Sequence, residues 1–410
     1  MTNLSPLRTV SPGAADWAKA ACDPDAFARE QAAHGQLWTF LGLASEVAED
    51  GAWFRTELGG RSVFVQRFGD VLRGFENICA HRFHPLRQQA RGKGPIVCAF
   101  HHWRYNKDGL ALGVPVCDEA YGCSPKALDA RLRPVEVDTC GGLVFGRLPG
   151  RAAGESLAEF LGDAGPILAA LCPPGVTGRR IGGEIAANWK FLTHVSLDDY
   201  HLVAVHPSSF GRFGYLKKAD VTYARMGRHS LYTTEKGDDP AARILAACRA
   251  GTYTAGDYLI VNLFPSLGVS QFYAVRLFGR TYFGIQIFRY VPLAHDRARL
   301  DAWLAPAPMA PRRTGFWGVV DRVAEAVVYR VVPYYARQVA AEDQAVCAAQ
   351  QTVAKQIDGQ QRISPAFEGR IGWFEEVYAA ETRAAETRAA EPLAAETALA
   401  DRPVADQPPT

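Results

Sequence analysis

Two short segments of the chain each pair a cysteine with a histidine. One residue separates Cys79 from His81, two separate Cys98 from His101, and 16 residues lie between the pairs. Such spacing lets a loop direct both side chains at one metal centre. Zinc could bind four such residues, but zinc fingers pair like ligands within each loop. One thiolate and one imidazole per loop favour a two-iron cluster, with both cysteines on one iron and both histidines on the other.

A second set of candidate ligands follows in the middle of the chain. His201 and His206 stand five positions apart, close to helical spacing, so both imidazoles can approach one ion if the turn is distorted. With one carboxylate they would form the two-histidine, one-carboxylate triad, which leaves open positions on Fe(II) for O2. Taken alone, the two histidines would also suit an ordinary polar helix face.

Together these motifs resemble the large (α) subunit of Rieske non-haem iron oxygenases, the terminal component of ring-hydroxylating and demethylating systems. The resemblance covers residues 38–378 and includes the Asp-x-Tyr-His sequence that ends at His201. Three positions depart from the family pattern: Ala99 replaces a proline, and Phe83 and His102 replace glycines. The four predicted cluster ligands are intact, but these replacements are expected to change the exposure and potential of the cluster.

The resemblance implies a third iron ligand on a long C-terminal helix. Asp343 is the preferred candidate, and Glu342 and Asp321 are the alternatives. Adjacent residues of a helix point in different directions, so only one of Glu342 and Asp343 can face the iron.

Two further residues near the iron follow from the resemblance. Asp198 is expected to join the two metal centres across a subunit boundary, accepting hydrogen bonds from His201 and from His101 of the partner subunit. This role implies a head-to-tail homotrimer. His194 stands where the family often has asparagine, close to the iron. It either hydrogen-bonds the substrate or bound oxygen, or has no chemical role.

The elements that position these residues divide the chain into four parts. Residues 1–37 form an N-terminal segment with a helix from Asp23 to about Ala33, whose start is marked by a capping aspartate and a proline. Short strands bounded by turns predict an all-β Rieske domain over 38–150. A catalytic mononuclear iron domain follows over 151–378, and an Ala-Glu-Thr-Arg repeat ending in proline-rich sequence predicts a disordered tail over 379–410.

The predicted fold class is α+β, an all-β Rieske [2Fe–2S] domain followed by a catalytic domain of the helix-grip type. In the catalytic domain, strands are expected within 253–264, 268–275 and 282–291, forming an antiparallel sheet. Helices are expected over 157–171, 292–304 and within 320–361, the last one kinked or broken near Pro333.

Composition excludes several classes of protein. The 410 residues are 48% hydrophobic, enough for a sizeable core, and the net charge of +2 without a basic stripe argues against nucleic-acid binding. Charged residues interrupt the most apolar stretch, 316–335, so no membrane contact is expected. Nine cysteines, an odd and low number, favour a reduced cytoplasmic protein without a disulfide framework.

These observations predict a terminal oxygenase that uses O2 to hydroxylate a hydrophobic, aromatic small molecule. The sequence has no flavin or nicotinamide fingerprint, so electrons are expected from a separate reductase or ferredoxin. An oxidative demethylase or monooxygenase of a non-aromatic substrate, a Rieske electron carrier without catalysis and a zinc-bound structural protein are the alternatives. The expected pocket walls are Phe210, Val261, Phe264, Val269, Phe272 and Phe316.

Overall fold

The computed structural model describes residues 21–150, 154–207, 217, 220–356 and 362–390. The first helix, α1 (Pro24–His34), begins as the sequence predicts. Asp23 caps it by accepting a hydrogen bond from the Asp25 N–H, and a proline in the first turn loses no hydrogen bond.

A β-rich unit follows this helix, and two short helices interrupt the predicted all-β pattern. Its elements are β1 (Thr39–Leu43), β2 (Ala52–Leu58), β3 (Arg61–Phe68), β4 (Val71–Glu76), β5 (Arg91–Lys93), β6 (Ile96–Val97), β7 (Arg104–Tyr105), β8 (Ala111–Gly113), α2 (Cys117–Tyr121), α3 (Pro125–Leu128), β9 (Pro134–Cys140) and β10 (Leu143–Arg147). Seven strands form one antiparallel sheet in the order β1-β10-β9-β4-β3-β2-β5, and β6-β7-β8 form a second. The two cysteine loops follow β4 and β6, so each loop leaves a different sheet.

The larger unit is a second seven-stranded antiparallel sheet with helices on both faces. Its elements are α4 (Leu157–Leu161), α5 (Ala164–Leu171), β11 (Arg179–Ile185), α6 (Trp189–Leu197), α7 (Leu202–Val205), β12 (Thr222–Met226), β13 (His229–Thr233), α8 (Pro240–Arg249), β14 (Leu259–Leu263), β15 (Leu267–Leu277), β16 (Arg280–Ala294), β17 (Arg297–Pro306), α9 (Gly315–Val353) and α10 (Gly369–Ala390). The strand order is β11-β17-β16-β15-β14-β13-β12. Helices α4, α5 and α8 pack on one face, whereas α6, α9 and α10 pack on the other. The α+β fold class is therefore confirmed, while the exact domain boundaries stay predictions.

The prediction of a helix over 292–304 is wrong. These residues end β16 and form most of β17, which pairs with β11 on one side and β16 on the other. Helices α6 and α9 cover one face of β17, and on the other face Trp303 packs against Phe40 of the β unit. The residues Leu300, Ala302, Trp303 and Leu304 are all buried, and so is the ion-paired Asp301. Burial on both faces removes the regular alternation of polar and apolar residues that is typical of a half-exposed strand, so the segment resembled an amphipathic helix.

Three further predictions about helices need correction. The helix expected over 157–171 is two helices, because Gly162 ends α4 with a positive φ of 49°. Pro333 does not break α9, whose flanking residues Val332 and Ala336 pack against the sheet and hold the helix together. Helix α10 continues through Ala390 into the region predicted as a disordered tail, and Glu381 there accepts a hydrogen bond from Arg228 at 2.5 Å. Residues 391–410 lie outside the described residues.

Candidate metal centres

The two cysteine loops of the β unit have the same backbone conformation. The carbonyl oxygen of Cys79 accepts a hydrogen bond from the Phe83 N–H at 3.1 Å, and that of Cys98 accepts one from the His102 N–H at 2.9 Å. Each cysteine N–H also donates to the carbonyl oxygen five residues further on. The two loops therefore share one pattern of backbone hydrogen bonds around their cysteines.

The four predicted cluster ligands pair by type in space. The residues Cys79 and Cys98 are both 1% exposed. Burial raises the pKa of the Cys98 thiol, and the adjacent Cys79 thiol raises it further. The His81 and His101 rings lie outside them, with centroids 4.5 Å apart. Nδ1 of His81 is buried and makes no hydrogen bond among the described residues, so it is available as a ligand. Paired thiolates beside paired imidazoles fit a Rieske [2Fe–2S] cluster better than one tetrahedral zinc ion.

A tyrosine hydroxyl contacts the buried side of this centre. Tyr105 lies 3.0 Å from the Cys79 sulfur, and it accepts a hydrogen bond from the Ala80 N–H at 3.1 Å. Hydrogen bonds to cluster sulfurs raise the reduction potential, because they stabilise the more negative reduced state. The sequence alone gave no signal for this contact, since 26 positions separate the two residues.

We expect Tyr105→Phe to lower the reduction potential of the cluster. Loss of one hydrogen bond of about 1 kcal/mol corresponds to roughly 40 mV for a one-electron couple. A redox titration followed by visible spectroscopy measures the shift. Tyr273→Phe, at an exposed tyrosine of the catalytic sheet, is the control and should leave the potential unchanged. An unchanged potential in Tyr105→Phe would show that the hydroxyl does not donate to the sulfur.

The two non-glycine replacements lie at equivalent, strained positions of the loops. Phe83 has a φ of 61° and His102 a φ of 58°, both in the left-handed region that favours glycine. Their side chains are exposed, 70% in the case of Phe83, so little packing compensates for the strain within the chain. The non-glycine residues at these two positions therefore strain the backbone.

We expect Phe83→Gly and His102→Gly each to raise the free energy of unfolding. The gain is about 0.5–1 kcal/mol, because the left-handed strain of about 1–2 kcal/mol exceeds the entropy cost of glycine. Urea unfolding of the cluster-loaded protein measures it. Arg82→Gly, an exposed neighbour outside the left-handed region, should instead be destabilising. A loss of stability in both loop variants would contradict the strain argument.

The second predicted set of ligands also converges. Nε2 of His201 and Nε2 of His206 lie 3.3 Å apart, and Oδ1 of Asp343 lies 3.4 Å from the first and 3.0 Å from the second. Three ligands at about 2.1 Å from a metal, in mutually perpendicular positions, would be about 3 Å apart. In the described part of the chain this is the one group of three or more such side chains with ligand atoms within 4.8 Å of one another.

Local structure explains how a spacing of five residues works. Helix α6 ends at Leu197, and the short helix α7 occupies Leu202–Val205 between the two histidines. His201 precedes α7 with helical backbone angles, whereas His206 leaves it with a φ of −113° and a ψ of 57°, which turns its ring back. Asp343 reaches the same point from the middle of α9.

Each imidazole of the triad also lies beside a second carboxylate. Nδ1 of His206 donates to Oε2 of Glu342 at 2.7 Å, and Nδ1 of His201 lies 3.4 Å from Oδ2 of Asp198. Glu342 therefore contacts the far side of a histidine and does not occupy the place of Asp343. Such carboxylates fix the tautomer and orientation of metal-binding histidines.

Neighbouring charges shift the pKa values of all three side chains of the triad. Burial alone would lower the pKa of His201, but hydrogen bonds to Asp198 and Asp343 raise it to about 9. Burial would also lower the pKa of His206, but hydrogen bonds to Asp343 and Glu342 raise it. Burial opposes ionisation of Asp343, but hydrogen bonds from both imidazoles lower its pKa. A bound cation would replace these protons, so the donor set fits Fe(II).

We expect Glu342→Gln to weaken metal binding at the triad by about 10–100-fold, because His206 loses a charged partner that orients it. Titration with Co(II), followed by visible absorption, measures the affinity. Arg337→Gln, an exposed substitution on the same helix, is the control. If both variants bind Co(II) as the unmodified protein does, Glu342 has no positioning role.

The remaining candidates occupy other places. Asp321 is buried 22 positions earlier on α9, about 33 Å along the helix, where Arg313 and Tyr282 bind it. His194 is buried on the face of α6 that packs against α10, with Nε2 3.9 Å from Oε1 of Glu375. Burial lowers the pKa of His194 to about 3. Its neutral ring belongs to this helix contact, and a role towards substrate stays a prediction.

The apolar wall predicted from the sequence is only partly correct. Phe264 and Phe272 lie on the sheet face that carries α6, α9 and α10, the same side as the triad. Val261 and Val269 point to the opposite face, because side chains alternate along a strand. Phe316 is 74% exposed at the start of α9, and Phe210 lies outside the described residues.

Comparison with known proteins agrees with both centres. Residues 37–130 match the Rieske [2Fe–2S] domain, and residues 176–384, half of the chain, match the catalytic domain of the ring-hydroxylating alpha subunit. The chain belongs to this family of Rieske oxygenase alpha subunits. Membership assigns a Rieske [2Fe–2S] cluster to the first unit and a mononuclear iron to the second.

Relatives within the family act on different compounds. The anthranilate 1,2-dioxygenase large subunit of Burkholderia cepacia is 29% identical, over 52% of this chain and 53% of that protein. The carnitine monooxygenase oxygenase subunit of Escherichia coli K12 is 28% identical, over 45% of this chain and 50% of that protein. The chain thus spans about half the length of the curated relatives it matches.

Solved structures of Rieske oxygenases have the same fold. Naphthalene 1,2-dioxygenase from Rhodococcus sp., bound to indole, superposes with a TM-score of 0.71 at 20% identity, over 92% of this chain and 96% of that one. A quaternary ammonium Rieske monooxygenase gives 0.68 at 17% identity, over 89% and 94%. Among the described residues, none of the helices has the length and apolar character needed to cross a membrane.

Proposed function

We propose that the chain is a terminal oxygenase that hydroxylates a hydrophobic aromatic small molecule. The observation that carries this proposal is the convergence of His201, His206 and Asp343 within 4.8 Å, on the aromatic side of the catalytic sheet. When bound, the cluster would supply single electrons and the ferrous ion would supply the place where O2 reacts.

Side chains of this chain would hold the ferrous ion and orient its ligands. His201 and His206 would present Nε2 to the ion, while Nδ1 of His206 donates to Glu342 and Nδ1 of His201 lies 3.4 Å from Asp198 on the opposite side of its ring. Asp343 adds one negative charge. The proposed ligand set leaves open coordination positions, as a two-histidine, one-carboxylate triad does.

The apolar side chains on the triad's side of the sheet support an aromatic substrate. Val332, Ala336 and Ala340 follow at four-residue intervals on the inner face of α9 and lead to Asp343. Tyr258 and Tyr290, which lie next to β14 and in β16, belong to the same hydrophobic cluster. Burial raises the pKa of both phenols, so these rings carry no charge near neutral pH. An apolar and aromatic lining suits a flat hydrophobic substrate better than a charged one.

A quaternary ammonium substrate, as the carnitine monooxygenase name suggests, is the second candidate. Tyrosine faces can bind such cations, and four tyrosines (Tyr223, Tyr232, Tyr258 and Tyr290) lie in this region. However, the Arg370 guanidinium already lies 5.5 and 5.2 Å from the ring centres of Tyr223 and Tyr232. The guanidinium therefore already covers two of the four rings. Fewer ring faces are left for a substrate cation, which favours the aromatic substrate.

Electron supply and assembly complete the proposal. A separate reductase or ferredoxin would reduce the cluster, and a head-to-tail homotrimer would bring His101 of the partner subunit to Asp198. Within the chain, Oδ1 of Asp198 accepts hydrogen bonds from the Tyr200 and His201 N–H groups of the same turn. A cytoplasmic location remains part of the proposal, on the grounds of the cysteine content.

A substrate screen tests the proposal. The iron-loaded protein, a surrogate reductase, NADH and 18O2 are supplied with naphthalene, anthranilate or carnitine. Labelled hydroxylated product from an aromatic compound is expected. Ala340→Phe should block it by filling the space beside Asp343, whereas Ala341→Phe, on the exposed side of α9, should not. Turnover of carnitine alone would overturn the substrate class.

A further inference from the structure

A buried arginine on the C-terminal helix contacts the turn between α6 and α7. Nη2 of Arg370 donates to Oδ2 of Asp199 at 2.9 Å, and Nη1 donates to Oδ1 of Asn262 at 2.7 Å. The Arg370 side chain is 1% exposed and that of Asp199 is 8% exposed. The guanidinium thus joins α10, the end of β14 and the turn in one desolvated contact.

Further contacts fix Asp199 at this point. Its Oδ2 also accepts a hydrogen bond from the Tyr223 hydroxyl at 2.9 Å, and its N–H donates to the carbonyl oxygen of Phe367 at 3.1 Å. Phe367 stands three positions before Arg370. Both the backbone and the side chain of Asp199 are therefore held by the start of α10 and by β12.

The position of Asp199 in the sequence connects this contact to the metal site. Asp199 directly follows Asp198 and precedes His201 by two residues. The turn closes through Oδ1 of Asp198, which accepts from the Tyr200 N–H at 2.6 Å and the His201 N–H at 3.2 Å. Since consecutive Cα atoms are fixed about 3.8 Å apart, a shift of Asp199 must displace Asp198 and His201 as well.

We propose that Arg370 is a positioning residue for the metal site. Its ion pair with Asp199 holds the Asp198–His201 turn in the orientation that presents Nε2 of His201 to the triad. A buried charge that loses its partner is strongly unfavourable, so the turn must rearrange to hydrate Asp199 when the guanidinium is removed. The C-terminal helix thereby sets the geometry of ligands that lie about 170 residues earlier in the chain.

A second arginine offers a matched control. Arg225 also joins the catalytic sheet to α10, through Nη1 and Oε2 of Glu376 at 2.7 Å. This pair is exposed, 42% for Arg225 and 59% for Glu376. Exposed pairs contribute little to stability because water screens them. Arg225→Met thus removes another arginine-mediated connection between the catalytic sheet and α10 without a contact to the turn.

Co(II) titration of the metal-depleted catalytic site tests the proposal, with visible absorption as the readout and the thermal unfolding midpoint recorded for each variant. Arg370→Met should weaken Co(II) binding about 10-fold or more, as loss of supporting contacts does elsewhere. Arg370→Lys should cause a smaller loss, because an ammonium cannot bind Asp199 and Asn262 with a rigid fork. Arg225→Met should bind within about twofold of the unmodified protein.

A double variant separates positioning from general destabilisation. If Arg370 acts through Asp199, Arg370→Met combined with Asp199→Asn should lose about as much affinity as the more severe single variant. The proposal would be overturned if the loss of Co(II) affinity in the double variant equalled the product of the two single-variant losses. Unchanged Co(II) affinity in a folded Arg370→Met protein would also overturn it. Should Arg370→Met not fold, unchanged affinity in Arg370→Lys would overturn it.

The inference rests on the proposed triad, and Asp343→Asn distinguishes the two failures. Normal Co(II) binding in Asp343→Asn would refute the triad itself. Normal binding in Arg370→Met, with binding lost in Asp343→Asn, would refute only the role of Arg370.

Discussion

Replacement of His201 by alanine should abolish turnover while the visible spectrum of the Rieske cluster stays unchanged. His201 supplies one of three atoms that lie 3.0–3.4 Å apart, and two ligands cannot hold the same ion in place. Loss of several kcal/mol of metal-dependent stabilisation corresponds to about 1,000-fold or more in rate. Oxygen-coupled turnover and the cluster absorbance, measured on the same preparation, check both parts.

His295→Ala is the matched control for this variant. His295 is a partly exposed histidine of the catalytic unit whose side chain lies 3.9 Å from Asp296 at the turn between β16 and β17. Its replacement should leave both turnover and cluster absorbance as they are. Retained turnover in His201→Ala would refute the catalytic assignment, and loss of the cluster spectrum would show that the two centres do not fold independently.

Replacement of Cys98 by serine should have the reciprocal effect. The Cys98 thiol is 1% exposed beside Cys79, and a serine hydroxyl is a poor replacement for a thiolate ligand of iron. We expect complete loss of the cluster absorbance and of reductase-dependent turnover. Co(II) binding at the triad should be retained, because His201, His206 and Asp343 are contributed by the other unit.

Cys117→Ser provides the control for the cysteine variant. Cys117 is also buried in the β unit, at the start of α2, but is not a predicted ligand. Its replacement should keep the cluster spectrum. A Cys98→Ser protein that retains the spectrum would contradict the ligand assignment, and one that loses Co(II) binding as well would indicate misfolding.

The candidate ligands could be selected from the sequence because most members of each set are close together in the chain. Cys79 and His81, or His201 and His206, stand within one turn or loop, so spacing limits where their side chains can point. Asp343 required more than spacing, since 137 positions separate it from His206. Family resemblance supplied it, and the structure places it beside both imidazoles while Glu342 supports the ring of His206.

The supporting contacts could not be predicted in the same way. Tyr105 beside Cys79 and Arg370 beside Asp199 depend on how distant elements pack, and neither residue has a local motif. The misassigned helix over 292–304 has a similar cause. Burial of β17 on both faces depends on the helices and on the β unit that pack against it, and periodicity within one segment carries no information about them.

Iron and acid-labile sulfide, determined per chain on anaerobically purified protein, test the central claim most directly. Two iron atoms and two sulfides belong to the cluster, and the triad adds one iron, so the account predicts three iron atoms and two sulfides. In Asp343→Asn the iron should fall to two with sulfide unchanged. A colourless protein that contains one zinc ion and no sulfide, or two iron atoms in both proteins, would contradict the account.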